Sequence, residues 1–395
     1  MFLKERHVFI IGSKGLGSYG GYETFVKQLL DQHAGHEKIQ YHVACKENGD
    51  GAMEGSRIRF KYRGANCYKI RVPEKLGPAQ AIYYDLAALD YGIDYCKQHE
   101  IEGAFFYILA CRIGPFMKKY ARQVHRLGGQ VFINPDGHEW RRGKWPWLVR
   151  KYWQVSERLM VKNCDQVICD SIEIERYILK NYGKYRPETA FIAYGSQLAA
   201  SPLGDSDQLF NNWLKEKKLR TGQYHLIVGR FVPENNFETM IREFMASKSR
   251  KDLAIITTAN DRFLAKLEEK LHFKRDPRIK FVGTVYDQDL LRKIRENAYA
   301  YLHGHSVGGT NPSLLESLSS TKLNLLYDVA FNQEVARQAG LYWSKEPGSL
   351  RRLIEKVEGF SQQAVEDFGQ AARRRIAHAY SWPAIAGEYE ELWLK

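Results

Sequence analysis

The sequence predicts an α/β protein of two layered domains, and three observations carry that reading. Short apolar runs alternate with stretches of helical spacing along the chain, the pattern of strands covered by helices. Two of these runs, Val8–Ile11 and Ala298–Leu302, are each followed by a glycine-bearing loop and then a helical pattern. The 395 residues suffice for two domains, each with its own core, and 196–207 is rich in Ser, Ala, Gly and Asp without periodicity, as a linker is. The expected division is an N-terminal domain over 1–198, a linker over 199–207, a C-terminal domain over 208–378 and a terminal helix over 379–395.

Taken in order, Val8–Ile11 reads as a buried first strand ended by Gly12. Gly15, Gly17 and Gly20 then formally match G-x-G-x-x-G, so a dinucleotide-binding oxidoreductase has to be weighed. Two details count against it. Gly15 lies three residues past Gly12, and the second strand, Tyr41–Ala44, runs into Cys45 and Lys46 where an acid would hold a ribose; Glu47 keeps the alternative open. Arg57–Tyr62 and Cys67–Val72 alternate like paired strands, Gln80–Gln98 has helical spacing, and Ala104–Leu109 is strand-like. Val131–Asn134 reads as a strand that delivers Asp136, His138 and Glu139 onto a loop, where carboxylates or an imidazole can orient a reacting hydroxyl. No second histidine sits at ligand spacing from His138, so no metal site is expected.

Trp145–Lys162 reads as a helix with Leu148, Tyr152, Val155 and Leu159 on one face. Arg142, Lys144, Arg150, Lys151, Arg158 and Lys162 surround it, interleaved with Trp140, Trp145, Trp147 and Trp153. Such a segment suits packing on the protein's own core, docking on an anionic membrane surface, or single-stranded nucleic acid. Gln166–Cys169 is a strand before a helix capped by Asp170 or Ser171, and Phe191–Gly195 reads as the last strand of the first domain.

In the second half, Leu226–Val228 leads into a loop carrying Arg230 and Asn235, and Phe281–Val285 ends another strand at Gly283. Pro312 opens a helix that Thr310 or Asn311 caps, with Glu316 one turn in; Gly308 and Gly309 let a phosphate approach the backbone and the helix N-terminus. Leu323–Tyr327 is a further strand, and only helical patterns are expected after Asp328, the last over Tyr380–Leu392.

A net charge of +13 implies an anionic partner: nucleic acid, anionic lipid or a nucleotide-sugar. The longest clean apolar run, Ala104–Ala110, is too short to span a bilayer, and the first residues show no apolar signal region. Six cysteines without C-x-x-C pairing fit idle thiols in a reducing cytoplasm.

His303–Glu316, which reads H-G-H-S-V-G-G-T-N-P-S-L-L-E, resembles the donor-site signature of retaining family 4 glycosyltransferases, and most closely that of bacterial polysaccharide rhamnosyltransferases. The loop Gly12–Phe25, the segment Asp136–Trp145 and the segment Gly229–Glu238 are similar to three further motifs of that family, in the same order. The resemblance implies a GT-B fold: two Rossmann-like domains facing across a cleft, with the C-terminal helix crossing back to the first. It implies donor contacts from Gly20, Gly21, Arg230, Asn235, Gly283, Val285, Gly309, Thr310, Asn311 and Glu316, with Arg230 clamping the diphosphate. It places Asp136, His138 and Glu139 on the acceptor side, with Asp136 the first choice to orient the attacking hydroxyl and Glu139 the second; Asp328, Asn332 and Glu334 continue the likeness. Two positions depart from the family pattern: Gly308 stands where the first of two glutamates is usual, and Asn235 where lysine is usual.

The implied reaction is retaining transfer of L-rhamnose from dTDP-rhamnose to a lipid-diphosphate-linked sugar, with no cofactor and no bound metal. The enzyme would be cytoplasmic and peripheral to the inner face of the membrane, with no nucleic-acid partner. A UDP-hexose donor and a nucleotide-sugar epimerase of the same fold are the alternatives. Changing Arg230 or Glu316 to alanine is expected to lower turnover at least about tenfold with the fold intact.

Overall fold

The computed structural model describes residues 5–16, 20–141, 145–258 and 260–395. Gly17, the middle glycine of the first loop, and the cations Arg142 and Lys144 lie outside the described residues. The chain divides into two compact units, residues 1–195 with 382–395, and residues 196–381. Ser196–Leu198 and the residues just before Trp382 thus go with the second unit. The 199–207 segment is fastened to that unit as well: Ser201 donates through its amide to Glu296 (2.7 Å) and through its hydroxyl to the Asp289 carbonyl (2.7 Å).

The first unit is built on β1 (Arg6–Ile11), β2 (Ile39–Lys46), β3 (Arg59–Tyr62), β4 (Ala65–Ile70), β5 (Phe105–Leu109), β6 (Gln130–Asn134), β7 (Gln166–Cys169) and β8 (Thr189–Phe191). They form one sheet in the order β3-β4-β2-β1-β5-β6-β7-β8, parallel throughout except for the β3–β4 hairpin. Its helices are α1 (Gly21–Gln32), α2 (Gln80–Gln98), α3 (Gly114–His125), α4 (Trp147–Asn163) and α5 (Ile172–Tyr182). Side chains of α2 to α5 join one core with the strands, including Leu89, Met117, Met160 and Ile178. The strands are apolar on both faces, Val8–Ile11 and Phe106–Leu109 being wholly buried, because helices cover both sides of a parallel sheet.

The second unit has a six-stranded, all-parallel sheet in the order β11-β10-β9-β12-β13-β14. Its strands are β9 (Tyr224–Val228), β10 (Asp252–Ile256), β11 (Ile279–Gly283), β12 (Ala300–His303), β13 (Leu323–Tyr327) and β14 (Leu341–Trp343). The helices are α6 (Gln208–Lys217), α7 (Phe237–Met245), α8 (Asp261–Leu271), α9 (Gln288–Glu296), α10 (Pro312–Ser320), α11 (Ala330–Ala336), α12 (Ser349–Glu358) and α13 (Gln362–Ala379). Helices α7, α8 and α12 share one core and α6 and α9 another, on the two faces of the sheet. Helix α14 (Trp382–Leu394) returns to the first unit, where Tyr389 and Trp393 pack on Tyr107, and Tyr389 on Phe25 of α1.

One expectation needs correction, and one open reading narrows. A strand, β14, follows Asp328; three residues beside Gly340 are too few to show alternation. Helix α4 does not bury the stripe that its apolar residues mark: Leu148 is 72% exposed and Val155 42%, while Ser156, Glu157, Met160 and Val161 face inward. The reason is the close approach of α3. Ser156 accepts from the Gly114 amide (2.8 Å) and donates to the Cys111 carbonyl (2.6 Å), and a Cβ on Gly114 would lie 2.3 Å from the Ser156 carbonyl oxygen. No helix among the described residues is long and apolar enough to cross a membrane. All six cysteines are free thiols.

Candidate functional site

In an open α/β sheet the strand order reverses at a switch point, and the crevice beyond the carboxyl ends of the strands there is where ligands bind. In the second unit that point falls between β9 and β12, whose following segments are Gly229–Asn236 and Gly304–Asn311. The sequence reading named both segments, and the structure joins them. Asn235 donates to the Arg230 carbonyl (2.8 Å), and its Oδ1 pairs with His305 Nδ1 (2.7 Å). Asn236 donates to the Gly304 carbonyl (2.6 Å), and Ser306 donates to the Glu234 carbonyl through its amide (3.1 Å) and its hydroxyl (2.6 Å). Only glycine fits at 304, since a Cβ would lie 2.3 Å from the Asn235 carbonyl oxygen. Asn235, standing where lysine is usual in the resembling family, therefore fastens one loop to the other.

Arg230 is exposed, and its guanidinium makes no ion pair or hydrogen bond among the described residues. Gly308 adopts φ +135°, a conformation that L side chains rarely reach, and a Cβ there would meet His305 Nε2 at 3.1 Å. Gly309 and Thr310 are buried. Asn311 caps α10, accepting from the amides of Ser313 (2.9 Å) and Leu314 (3.3 Å). Those two N–H groups are thus engaged by the cap and are not free to donate to a phosphate. The helix dipole remains. Gly283 (φ +83°) is exposed at the end of β11, and Val285 lies half-buried beside it.

Glu316 faces a partner that sequence reasoning missed. Its carboxylate lies 2.6 Å from Nη2 of Arg295, which is almost wholly buried, though the two are not aligned as a hydrogen bond. Arg295 also reaches the Ser313 hydroxyl (3.3 Å), which contacts Tyr301 (2.9 Å). Removing the Glu316 carboxylate is therefore expected to cost stability as well as turnover. Glu316→Gln should lower unfolding free energy by roughly 1–2 kcal/mol, because Arg295 keeps a buried charge without its counter-ion and Glu316 itself is only partly buried. Thermal unfolding of the variant checks this; an unchanged Tm would mean that the pair is energetically idle. Asn332 is buried and ties the loop to β13, donating to the carbonyls of His305 (3.2 Å) and Tyr327 (2.9 Å). Burial holds the His303 imidazole down to about 3, so it is neutral at pH 7. Asp328 receives a bond from Gln333 beside it.

In the first unit the switch point lies between β1 and β5. Gly12 (φ +109°) turns the chain off β1 against Leu109, where a Cβ would lie 2.4 Å from the carbonyl oxygen. Glu23, in the first turn of α1, accepts from the Lys14 amide (2.8 Å), and one of its oxygens would lie 2.0 Å from a Cβ on Gly20. A carboxylate thus stands against Gly20, whereas Gly21 is open. At the end of β5, Arg112 donates to the Gly12 carbonyl (3.2 Å) and to both oxygens of the buried Asp85 (3.3 and 3.2 Å). Burial pushes the Asp85 carboxyl up to about 6 against the pull of Arg112.

The β6 loop holds two non-glycine residues in the left-handed region, Asp136 (φ +55°) and His138 (φ +51°). Strain of this kind, of order 1–3 kcal/mol per residue, clusters at functional sites. Asp136 is fixed at both ends: Asn134 accepts from its amide (2.9 Å), and its carboxylate accepts from the Gly137 amide (2.8 Å). Glu139 is buried and accepts from the Trp145 indole (2.9 Å). His138 stands edge-on to Tyr177 at 4.1 Å; burial, then Arg141, pushes its imidazole down to about 4, so it is neutral at pH 7.

Sequence reasoning also missed Tyr22, the second residue of α1. Its hydroxyl is buried without a hydrogen-bond partner among the described residues. Burial raises its pKa well above the ordinary value, and the field of Asp136 adds to this, so it stays protonated as a donor. A buried hydroxyl without a partner is costly unless a ligand supplies one. Tyr22→Phe is expected to leave Tm unchanged or slightly raised and to lower activity about tenfold. A lower Tm with full activity would mark the hydroxyl as structural.

Each unit is thus a Rossmann-like half with polar residues at its switch point, and together they make the GT-B fold. Residues 5–197 match the family described as a domain of unknown function, DUF1972. None of the curated proteins matches the chain in sequence. Among solved structures the chain is similar to a sucrose-phosphate synthase from Thermosynechococcus elongatus, with TM-score 0.76 and 15% identity over 99% of this chain and 98% of that one. It is also similar to the trehalose-6-phosphate protein of E. coli bound with UDP-2-fluoro glucose (TM-score 0.72, 11% identity, 99% of each chain). A third likeness is to Anabaena HepE in complex with UDP (TM-score 0.68, 12% identity, 98% of this chain and 99% of that one). At these identities the likeness shows the fold, and it bears out the GT-B expectation.

Proposed function

We propose that the protein is a retaining glycosyltransferase that moves L-rhamnose from dTDP-rhamnose to a lipid-diphosphate-linked sugar at the inner face of the membrane. The observation that carries this reading is the joined pair of loops at the β9/β12 switch point, with the Arg230 guanidinium, unpaired among the described residues, on one and the N-terminus of α10 after the other. Both features suit a diphosphate: a guanidinium offers two parallel donors, and the helix N-terminus a positive dipole end. The likeness to proteins solved with UDP and UDP-2-fluoro glucose supports a nucleotide-sugar there. The rhamnose and dTDP assignments rest on the resemblance of His303–Glu316 to the rhamnosyltransferases.

In the reaction, the acceptor hydroxyl oxygen bonds to the anomeric carbon on the face that the nucleotide leaves. The bond from that carbon to the diphosphate oxygen breaks, and the departing phosphate takes the hydroxyl proton. Asp136 orients the attacking hydroxyl, and Arg230 with the α10 dipole stabilises the charge on the leaving group. With Glu23 against Gly20, that corner suits sugar hydroxyls better than phosphate.

A UDP-hexose donor is the second reading, favoured by the ligands in the two structural relatives. Purified protein incubated with dTDP-, UDP- and GDP-sugars and a lipid-diphosphate N-acetylglucosamine separates the readings by mass spectrometry. A deoxyhexose mass gain with dTDP-rhamnose alone is the expected result. A hexose gain from a UDP-sugar would overturn the donor, and a nucleotide-sugar product without acceptor would indicate an epimerase.

A further inference from the structure

Helices α3 and α4 pack side by side in the first unit, and the surface they present has one sign of charge. Lys118, Lys119 and Arg122 of α3, Arg126 just after it, and Arg150, Lys151, Arg158 and Lys162 of α4 are all exposed. The only acid on either helix is Glu157, which is buried and receives the Tyr177 hydroxyl (2.6 Å). The acid next beyond α4, Asp165, is held by His125 (3.0 Å). Eight exposed cations without an exposed carboxylate between them form a field that repels basic partners and attracts a polyanion.

The same surface carries large apolar side chains that the core leaves uncovered. Phe116 stands in the first turn of α3, and Trp147 (66% exposed) and Leu148 (72%) in the first turn of α4; Val155 lies two turns further on. Both first turns lie at the carboxyl edge of the sheet, just after Arg112 and after the Asp136–Glu139 loop. Cations distinguish neither a bilayer nor a nucleic acid, but the apolar residues do. A nucleic acid stacks bases on aromatic faces and has little use for an exposed leucine and valine. A bilayer interface takes up Trp, Phe and Leu at the headgroup boundary while lysine and arginine reach the anionic lipid phosphates.

We infer that the α3–α4 face is a docking surface for an anionic lipid bilayer, entered by Phe116, Trp147 and Leu148 and held by the surrounding cations. The transferase reading gives this surface its purpose, because docking there sets the β6 loop beside the plane where a lipid-linked acceptor lies; the charge and exposed apolar residues of the surface do not depend on it.

Flotation of the full chain with vesicles of phosphatidylcholine, with and without about a third phosphatidylglycerol, tests the inference. Binding is expected only to the anionic vesicles and is expected to weaken with salt. Lys118→Glu with Lys151→Glu should weaken it about a hundredfold or more, since each basic residue near such a surface contributes about 1 kcal/mol and reversal also adds repulsion. Leu148→Ser should weaken it about tenfold. A control with the same charge change on the second unit, Lys215→Glu with Lys266→Glu, should bind as the wild type does. Equal flotation of the α3–α4 double variant and the control overturns the inference, as does displacement of the protein from anionic vesicles by single-stranded nucleic acid at equal phosphate. Transfer to a water-soluble acceptor, measured in parallel, tells the two readings apart. Docking lost with soluble transfer kept supports the surface, and flotation that follows this pattern supports it even where no sugar is transferred.

Discussion

Replacing Asp136 by asparagine should lower sugar transfer about a hundredfold and leave Tm within a degree or two. Asparagine tolerates the left-handed conformation as well as aspartate does, so the φ of +55° is kept without new strain. Its side-chain oxygen can still accept from the Gly137 amide, as the carboxylate does at 2.8 Å. On the proposed reading, the substitution removes the charge that would hold an acceptor hydroxyl, an interaction that strengthens as the hydroxyl begins to lose its proton. The loss should therefore fall on kcat more than on the acceptor KM. Full transfer by a folded Asp136→Asn enzyme would move the role to Glu139. That carboxylate already accepts from the Trp145 indole, so Glu139→Gln would be read together with Tm.

Arg230→Ala should cost at least tenfold, and about a hundredfold if the guanidinium stabilises the leaving diphosphate through two hydrogen bonds. Unlike Glu316, Arg230 is exposed and unpaired among the described residues, so stability is not at stake. Lysine at this position would restore charge without the planar fork and should recover only part of the rate. Nucleotide affinity, measured by titration calorimetry with dTDP and UDP, should fall in the alanine variant. A folded Arg230→Ala protein with unchanged turnover and unchanged nucleotide affinity would remove the clamp from the mechanism.

The α/β architecture was legible because buried parallel strands are short, continuous apolar runs. Val8–Ile11 and Ala298–Leu302 therefore announce themselves, and Gln80–Gln98 is long enough for its helical spacing to be unambiguous. What stayed hidden is whatever depends on contact at a distance. The apolar stripe on α4 left a buried face open as one of three readings, and the helix in fact turns Ser156 inward because Gly114 admits its backbone there. Arg112 and Asp85 lie 27 residues apart and meet only when β5 is laid beside β1. Arg295 and Glu316 likewise become a pair through the packing of α9 on α10. The site loops themselves were found by their glycines and by resemblance. The hydroxyl of Tyr22 carried no sequence signal, since one more tyrosine near the start of a helix is ordinary.

The bonds through Asn235, Asn236 and Ser306 make the β9 and β12 loops of the second unit a prefabricated mount. Ordering flexible segments is one of the main costs of binding, and here folding has already met it. A nucleotide should meet a surface whose shape does not change on its arrival. Diversification of such a mount has a limited vocabulary: insertions in either loop would break the fastening, whereas exchange of the side chains standing on it would not. Proteins built on the same mount but handling different sugars should then differ by point substitutions around Arg230, His305 and Gly308, with the two loops kept at constant length.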